Sequence, residues 1–158
     1  MMPQSPDPES FGFMVADLSR LIRAEMDRRI AATGLGLTPG EGRTLAHAAR
    51  AGEVRQIELA DRMGVEPMTL SAYLDRLEQR GLVRRSPDPT DRRAKLVGIT
   101  PAAEAVLEKV RQAGAAMRAD ISRDMDPALW DQLNAGLRQA REALLAMRVS
   151  QANESDAA

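Results

Sequence analysis

Residues 56–83 read Gln56-Ile57-Glu58-Leu59-Ala60-Asp61-Arg62-Met63-Gly64-Val65-Glu66-Pro67-Met68-Thr69-Leu70-Ser71-Ala72-Tyr73-Leu74-Asp75-Arg76-Leu77-Glu78-Gln79-Arg80-Gly81-Leu82-Val83. Two short helices are written in this stretch. The first runs from about Gln56 to Met63 and is broken by Gly64. Pro67 opens the second, its missing N–H being no loss in a first helical turn. Leu70, Tyr73, Leu74 and Leu77 recur at steps of three and four, which gathers them on one face, and Gly81 stops the helix. Ala60 is small where the two helices would touch. Gly64 sits four residues later, where the turn needs a left-handed backbone, and Val65, Leu70 and Tyr73 supply the apolar contacts between the helices. This is helix-turn-helix spacing, which helical hairpins of other kinds share.

The stretch from Leu82 onward narrows the reading. Leu82-Val83-Arg84-Arg85 and Lys95-Leu96-Val97-Gly98-Ile99 are short β-like runs, and Ser86-Pro87-Asp88-Pro89-Thr90-Asp91 between them is rich in turn formers. Arg84, Arg85, Arg92, Arg93 and Lys95 outnumber the acids Asp88 and Asp91. Standing alone, such cations are most simply a solvated hairpin surface. Directly after a helix-turn-helix, a basic hairpin makes a winged helix, in which the second helix enters the major groove and the wing reaches a neighbouring minor groove.

Long helices flank this core. Phe11, Val15, Leu18, Leu21, Ile22, Met26 and Ile30 mark one from Glu9 to about Ala32, stopped by Gly34 and Gly36. Thr38-Pro39-Gly40-Glu41 is a capping box that starts a short Ala-rich helix ending near Gly52. Gly40 and Gly42 each cost about 1 kcal/mol relative to Ala and are expected to leave that helix start mobile. Thr100-Pro101 opens a helix reaching about Asp124. Asp126-Pro127 opens the last, with Leu129, Leu133, Leu137, Ala140 and Leu144 in one stripe.

The predicted order is therefore α-α-α-α-β-β-α-α: a mainly α chain with a small β-hairpin wing, in which a winged helix-turn-helix is joined to long helices forming a dimerisation arm. Residues 37–100 are the DNA-binding domain, 9–36 and 101–149 the helical dimerisation region, and 1–8 and 150–158 disordered ends. Long apolar stripes on a monomer would be exposed to water, so an intertwined homodimer is expected.

Composition removes other classes. The chain has 158 residues, 44% hydrophobic and 28% charged, with a formal net charge of −1. Aromatics are 3%, namely Phe11, Phe13, Tyr73 and Trp130, too few for the base-stacking platforms of single-strand binders. Without cysteine, and with His47 as the single histidine, thiol chemistry, a catalytic His triad and a His-rich metal site drop out, and neither a metal nor a cofactor is expected. No Gly-rich phosphate loop or nucleophile elbow is present, so the chain is not read as an enzyme. No apolar run approaches the ~20 residues of a membrane span, and Met1 to Ser10 does not read as a signal peptide, so a cytoplasmic protein is expected. All but two of the 22 basic residues are arginine, the better fork for phosphate and guanine edges.

Asp88-Pro89-Thr90-Asp91-Arg92-Arg93-Ala94-Lys95, closing on Ile99-Thr100, resembles the wing signature of the MarR family, the multiple-antibiotic-resistance regulators. Leu74-Asp75-Arg76-Leu77-Glu78-Gln79-Arg80-Gly81-Leu82-Val83 resembles the end of that family's recognition helix and its first wing strand. The resemblance extends from about Leu37 to Thr100. It implies a homodimeric winged-helix transcription regulator, usually a repressor, often released from DNA by a small anionic or phenolic ligand. By the same resemblance Arg93 enters the minor groove, Arg92 and Arg76 meet phosphate, Asp91 braces the wing tip and Asp75 pairs with a wing arginine.

The periodicity agrees on faces: with the leucines inward, Pro67, Met68, Thr69, Ser71, Ala72, Asp75 and Arg76 are left for DNA. Lys95 joins them from the wing. Ser71 and Thr69 can hydrogen-bond base edges or phosphates, and Met68 and Ala72 can touch thymine methyls. The sequence departs from the family pattern at Ala72, often a long basic residue; at Glu66-Pro67, in place of a Ser/Thr cap; at Gly40 and Gly42; and at Ala103, often glycine.

The expected partners are a pseudo-palindromic DNA duplex, a second copy of the chain and a small aromatic or anionic effector, for which Met14, Leu18, Arg43, His47 and Trp130 are candidate pocket residues. The alternative is a winged-helix protein-interaction module, or a DNA-binding module without an effector.

Overall fold

The computed structural model describes Asp7 and residues 9–156, with side chains through Gln151. Most of the segment 1–8, expected to be disordered, lies outside the described residues. Helices α1 (Phe11–Ala32) and α2 (Pro39–Ala51) lead into a two-residue strand β1 (Val54–Arg55). Then come α3 (Gln56–Met63), α4 (Pro67–Gln79), the hairpin β2 (Val83–Pro87) and β3 (Lys95–Ile99), α5 (Glu104–Ser122) and α6 (Pro127–Asp156). The chain divides into two compact units, one through Met117 and one from Arg118 onward. No described helix is long and apolar enough to cross a membrane.

The first unit holds the core. Leu70, Leu74 and Leu77 of α4 are fully buried with Leu59 and Ala60 of α3, Leu45 and Ala48 of α2, and Val97 of β3. Gly64 has φ 63° and ψ 40°, and the amide of Val65 reaches back to the carbonyl of Ala60 at 3.1 Å, closing α3 so that α4 can leave at an angle. Thr38 caps α2 in both directions. Its Oγ1 accepts from the Glu41 amide at 3.3 Å, while the Glu41 carboxylate accepts from the Thr38 amide at 2.9 Å. Thr100 joins the two ends of the hairpin, its amide and hydroxyl donating to the carbonyls of Leu82 and Gly81. A single 3₁₀ turn, Pro101–Ala103, precedes α5, and Ala103 is wholly buried beneath it.

Three features differ from the sequence reading. First, the wing is a three-stranded antiparallel sheet in the order β1-β3-β2, because Val54 and Arg55 pair with Val97 and Leu96. Two residues are too few to show the alternation that marks a strand.

Second, Gly40 and Gly42 do not loosen α2; both are buried. A Cβ at Gly40 would collide with the Tyr73 ring of α4, and one at Gly42 would sit 2.8 Å from Ile30 Cγ2 of α1. The glycines let α2 approach both neighbours, a use that outweighs their helix cost.

Third, α6 continues to Asp156, past the expected disordered tail from residue 150. Gln151, Ala152 and Glu154 are polar or small but favour helix, and no glycine or proline interrupts them. In the second unit, Asp126 Oδ1 accepts from the amides of Ala128 and Leu129 and so caps α6. Leu129, Leu133, Leu137, Leu144 and Leu145 remain exposed along that helix, as do Phe11, Leu18 and Leu21 on α1.

Candidate nucleic-acid interface

Burying Leu70, Leu74 and Leu77 turns the opposite face of α4 outward. Pro67, Met68, Thr69, Ala72 and Asp75 are exposed there, Met68 to 83%, and Ser71 is half-buried. A groove runs between this helix start and the wing, lined by Arg55, Pro67, Ser71, Arg85, Arg93 and Lys95 among others.

The arginines of this region fall into two sets. Arg85 is nearly buried and tied to α4: its Nη2 donates to Asp75 Oδ1 and Glu78 Oε2, both at 2.6 Å. The Arg85 hydrogen bonds hold the Glu78 carboxyl below the usual carboxylate range. Arg84 pairs with Glu53 at 2.9 Å. Arg55 donates to Asp88 at 2.6 Å and to Thr90 Oγ1 at 3.1 Å. By contrast, the side chains of Arg92, Arg93 and Lys95 are exposed and make no ion pair among the described residues. Asp91 Oδ1 accepts from the Arg93 amide at 3.0 Å, which shapes the tip and leaves the guanidinium outward.

Asp88 anchors the wing, and with Arg55 it is the functional contact that the sequence reading missed. The residue is buried, and its Oδ1 accepts from both the amide and hydroxyl of Thr90 at 2.7 Å. Its amide donates to the Ala94 carbonyl across the tip. The Thr90 bonds, with help from Arg55 and against desolvation, lower its carboxyl pKa from 3.8 to about 2. A carboxyl depressed by folding stabilises the native state above its ordinary pKa, and that contribution is lost as pH falls through the folded value. The wing-tip amides of Thr90 and Ala94 are therefore expected to titrate near pH 2 in NMR spectra. Arg55→Ala should raise that midpoint; a wild-type midpoint near 3.8 would contradict the anchor.

Arg76, for which the family resemblance implies a phosphate contact, is half exposed and also engages α2. Its Nε donates to the carboxylate of Glu41, and its guanidinium lies 5.6 Å from the Tyr73 ring centroid. Burial alone would raise the Glu41 carboxyl; the Thr38 amide and Arg76 outweigh it and hold it low. Arg76 thus fastens α4 to α2.

Of the candidate effector residues, Met14 and Leu18 lie on α1, Arg43 and His47 on α2, and Trp130 on α6. Arg43 pairs with Asp27 of α1, and His47 lies on the same face of α2 one turn on. Burial first, then the charges of Arg50, Arg43 and Arg23, lower the His47 pKa from 6.5. Met14 and Leu18 are exposed on α1, about 20 Å and about 13 Å along the helix from Asp27 at 1.5 Å per residue. Trp130 lies in the second unit on α6, half-buried, its carbonyl accepting from Asn134. The first unit also has an apolar crevice of about 380 Å³ between α1, α2 and α5. It is walled by Met26, Ala46, Ala49, Leu107 and Val110, with Arg50 and Arg111 beside it. Arg111 is held by Glu104 and Glu108, whereas Arg50 makes no ion pair among the described residues.

A helix-turn-helix whose second helix presents an open face, followed by a sheet that projects unpaired cations, defines a winged-helix protein of the DNA-binding class. The MarR family model matches residues 37–95. The chain is 36% identical to the transcriptional regulator PA3341, with a TM-score of 0.71 over 87% of this chain and 99% of that one. The apo form of wild-type MarR from E. coli is 22% identical, with a TM-score of 0.70 over 83% of this chain and 96% of that one. A MarR transcriptional regulator from Methanosarcina mazei Go1 is 19% identical, with a TM-score of 0.73 over 86% and 96%. The last two share the fold. The chain belongs to the MarR family, and its architecture is that of a DNA-binding transcription regulator.

Proposed function

We propose that the protein is a cytoplasmic, homodimeric, sequence-specific transcription regulator that represses nearby genes and is released from DNA by a small anionic or aromatic effector. The observation that carries the DNA reading is the sorting of the wing cations. Arg55, Arg84 and Arg85 are tied to acids, while Arg92, Arg93 and Lys95 beside the open face of α4 have none among the described residues. Cations left unpaired at the tip of an anchored sheet suit phosphate and minor-groove contact. The exposed leucines of α6 and the apolar residues of α1 support a dimer, since such stripes favour burial against a second copy. The apolar crevice with Arg50 beside it supports an effector that joins a small apolar body to a carboxylate or phenolate. Effector binding there would fix the spacing of two wings at a value mismatched to the operator, a coupling typically of about 1–3 kcal/mol.

Salt dependence tests the DNA reading. Three cations per wing and two wings neutralise about six phosphates, so the log–log slope of affinity against salt should be about −5. A roughly thousandfold loss of affinity is then expected between 50 and 200 mM salt. A flat dependence would favour the protein-interaction reading.

A further inference from the structure

We infer that Glu66 is a base-selecting residue whose carboxylate accepts a hydrogen bond from the exocyclic amine of a cytosine in each operator half-site. This rests on the DNA-binding reading above and adds a specificity determinant to it.

Glu66 is the N-cap of α4, the position at which Ser, Thr, Asp or Asn would accept from the first free amides. It makes no such bond; its backbone carbonyl alone takes part, accepting from the Leu70 amide at 3.0 Å. Its side chain is exposed and has no hydrogen-bond or ion-pair partner among the described residues. Pro67 follows it and offers no N–H, so the helix start holds the carboxylate loosely.

The surroundings show where that carboxylate stands. Glu66 lines a groove with Ile57, Glu58, Asp61, Arg62 and Pro67, while the basic groove with Arg55, Arg85, Arg93 and Lys95 shares only Ile57 and Pro67 with it. The Ile57–Pro67 ridge therefore separates Glu66 from the wing cations. Met68, 83% exposed, follows two residues later, and Ile57 is 59% exposed. One bare apolar side chain, Met68, and one bare carboxylate thus occupy the leading end of the helix that enters the major groove, with Ile57 of α3 beside them, where N-terminal residues meet base edges.

The chemistry then decides the preference. An ionised carboxylate only accepts: cytosine offers N4–H₂ with no acceptor beside it in the major groove, adenine sets its repelling N7 next to N6–H₂, and guanine and the O4 of thymine offer acceptors. Near phosphates the same charge weakens binding to every sequence. Glu66 therefore trades general affinity for discrimination, as expected of a residue whose specificity includes rejection of wrong partners.

The test is parallel selection of bound duplexes from random DNA, at one salt concentration, by the wild type, Glu66→Gln and Glu66→Ala. The wild type should enrich a half-site with one position at which cytosine is preferred by about tenfold. Both variants should keep the remaining positions, reduce that preference to within about twofold and bind unselected DNA more tightly. An unchanged cytosine preference in both variants would overturn the inference while leaving the DNA reading intact. It would leave Glu66 as a charge that steadies the helix N-terminus. Enrichment of no sequence by the wild type would overturn the DNA reading and this inference with it.

Discussion

Replacing Arg92, Arg93 and Lys95 together by alanine is expected to lower affinity for operator DNA by roughly a hundredfold or more at about 0.15 M salt and to flatten the salt slope by about five. The size follows from symmetry: each substitution acts twice in a dimer, and each lost phosphate contact removes about 0.9 from the slope. None of the three side chains pairs with an acid among the described residues or packs in the core, so thermal unfolding should stay within the change of about 0.5 kcal/mol usual for surface substitutions. Arg85→Ala should lower both quantities. It removes the bonds to Asp75 and Glu78 that hold β2 on α4, so stability falls as well as affinity. Binding titrations and thermal melts on both variants separate the two roles. Unchanged DNA affinity in the triple variant would contradict the assignment of the wing.

Gly40→Ala is expected to destabilise the protein by about 2 kcal/mol, although alanine is the better helix former. The substitution gains about 1 kcal/mol in helix propensity. Against that, the new Cβ would overlap several atoms of the Tyr73 ring, which puts the cost of the inserted carbon at the upper end of the usual range, about 3 kcal/mol. Yielding is costly here because the ring lies under the Arg76 guanidinium, and Arg76 is in turn bound to the buried Glu41. For a chain of this size the melting temperature should fall by roughly 4–8 °C. In a Tyr73→Ala background the obstacle is gone, and the same Gly40→Ala change should become stabilising by about 1 kcal/mol. Equal effects in the two backgrounds would contradict the packing account.

The helix-turn-helix and the hairpin were legible because they rest on local signals. Leucines at steps of three and four placed the buried face of α4, and with it the open face that carries Met68, Thr69 and Ala72. Gly64 and the Thr38–Glu41 box marked their boundaries through backbone geometry that only a few residue types satisfy. What escaped was long-range. Arg55 meets Asp88 from 33 residues away, through a strand too short to have a period. The Gly40–Tyr73 contact joins two helices whose relative approach no local pattern encodes, so glycines needed for closeness read as glycines that loosen. Arg76 shows the same limit. Its place on the exposed side of α4 could be read from the sequence, whereas its partner Glu41, 35 residues earlier in the chain, could not. The wing cations could be named from sequence, whereas which of them stay unpaired depends on acids brought in by the fold, such as Glu53 and Glu78.

The most direct test of the account is a hydroxyl-radical footprint of the wild-type protein on the duplex recovered with highest affinity from a random pool. Two recognition helices related by a two-fold axis should protect two patches about 10–10.5 base pairs apart on one face of the duplex, each flanked by protection of a minor groove where a wing lies. A single patch without two-fold symmetry, or no protection at concentrations well above that needed for dimerisation, would contradict a dimeric operator-binding regulator.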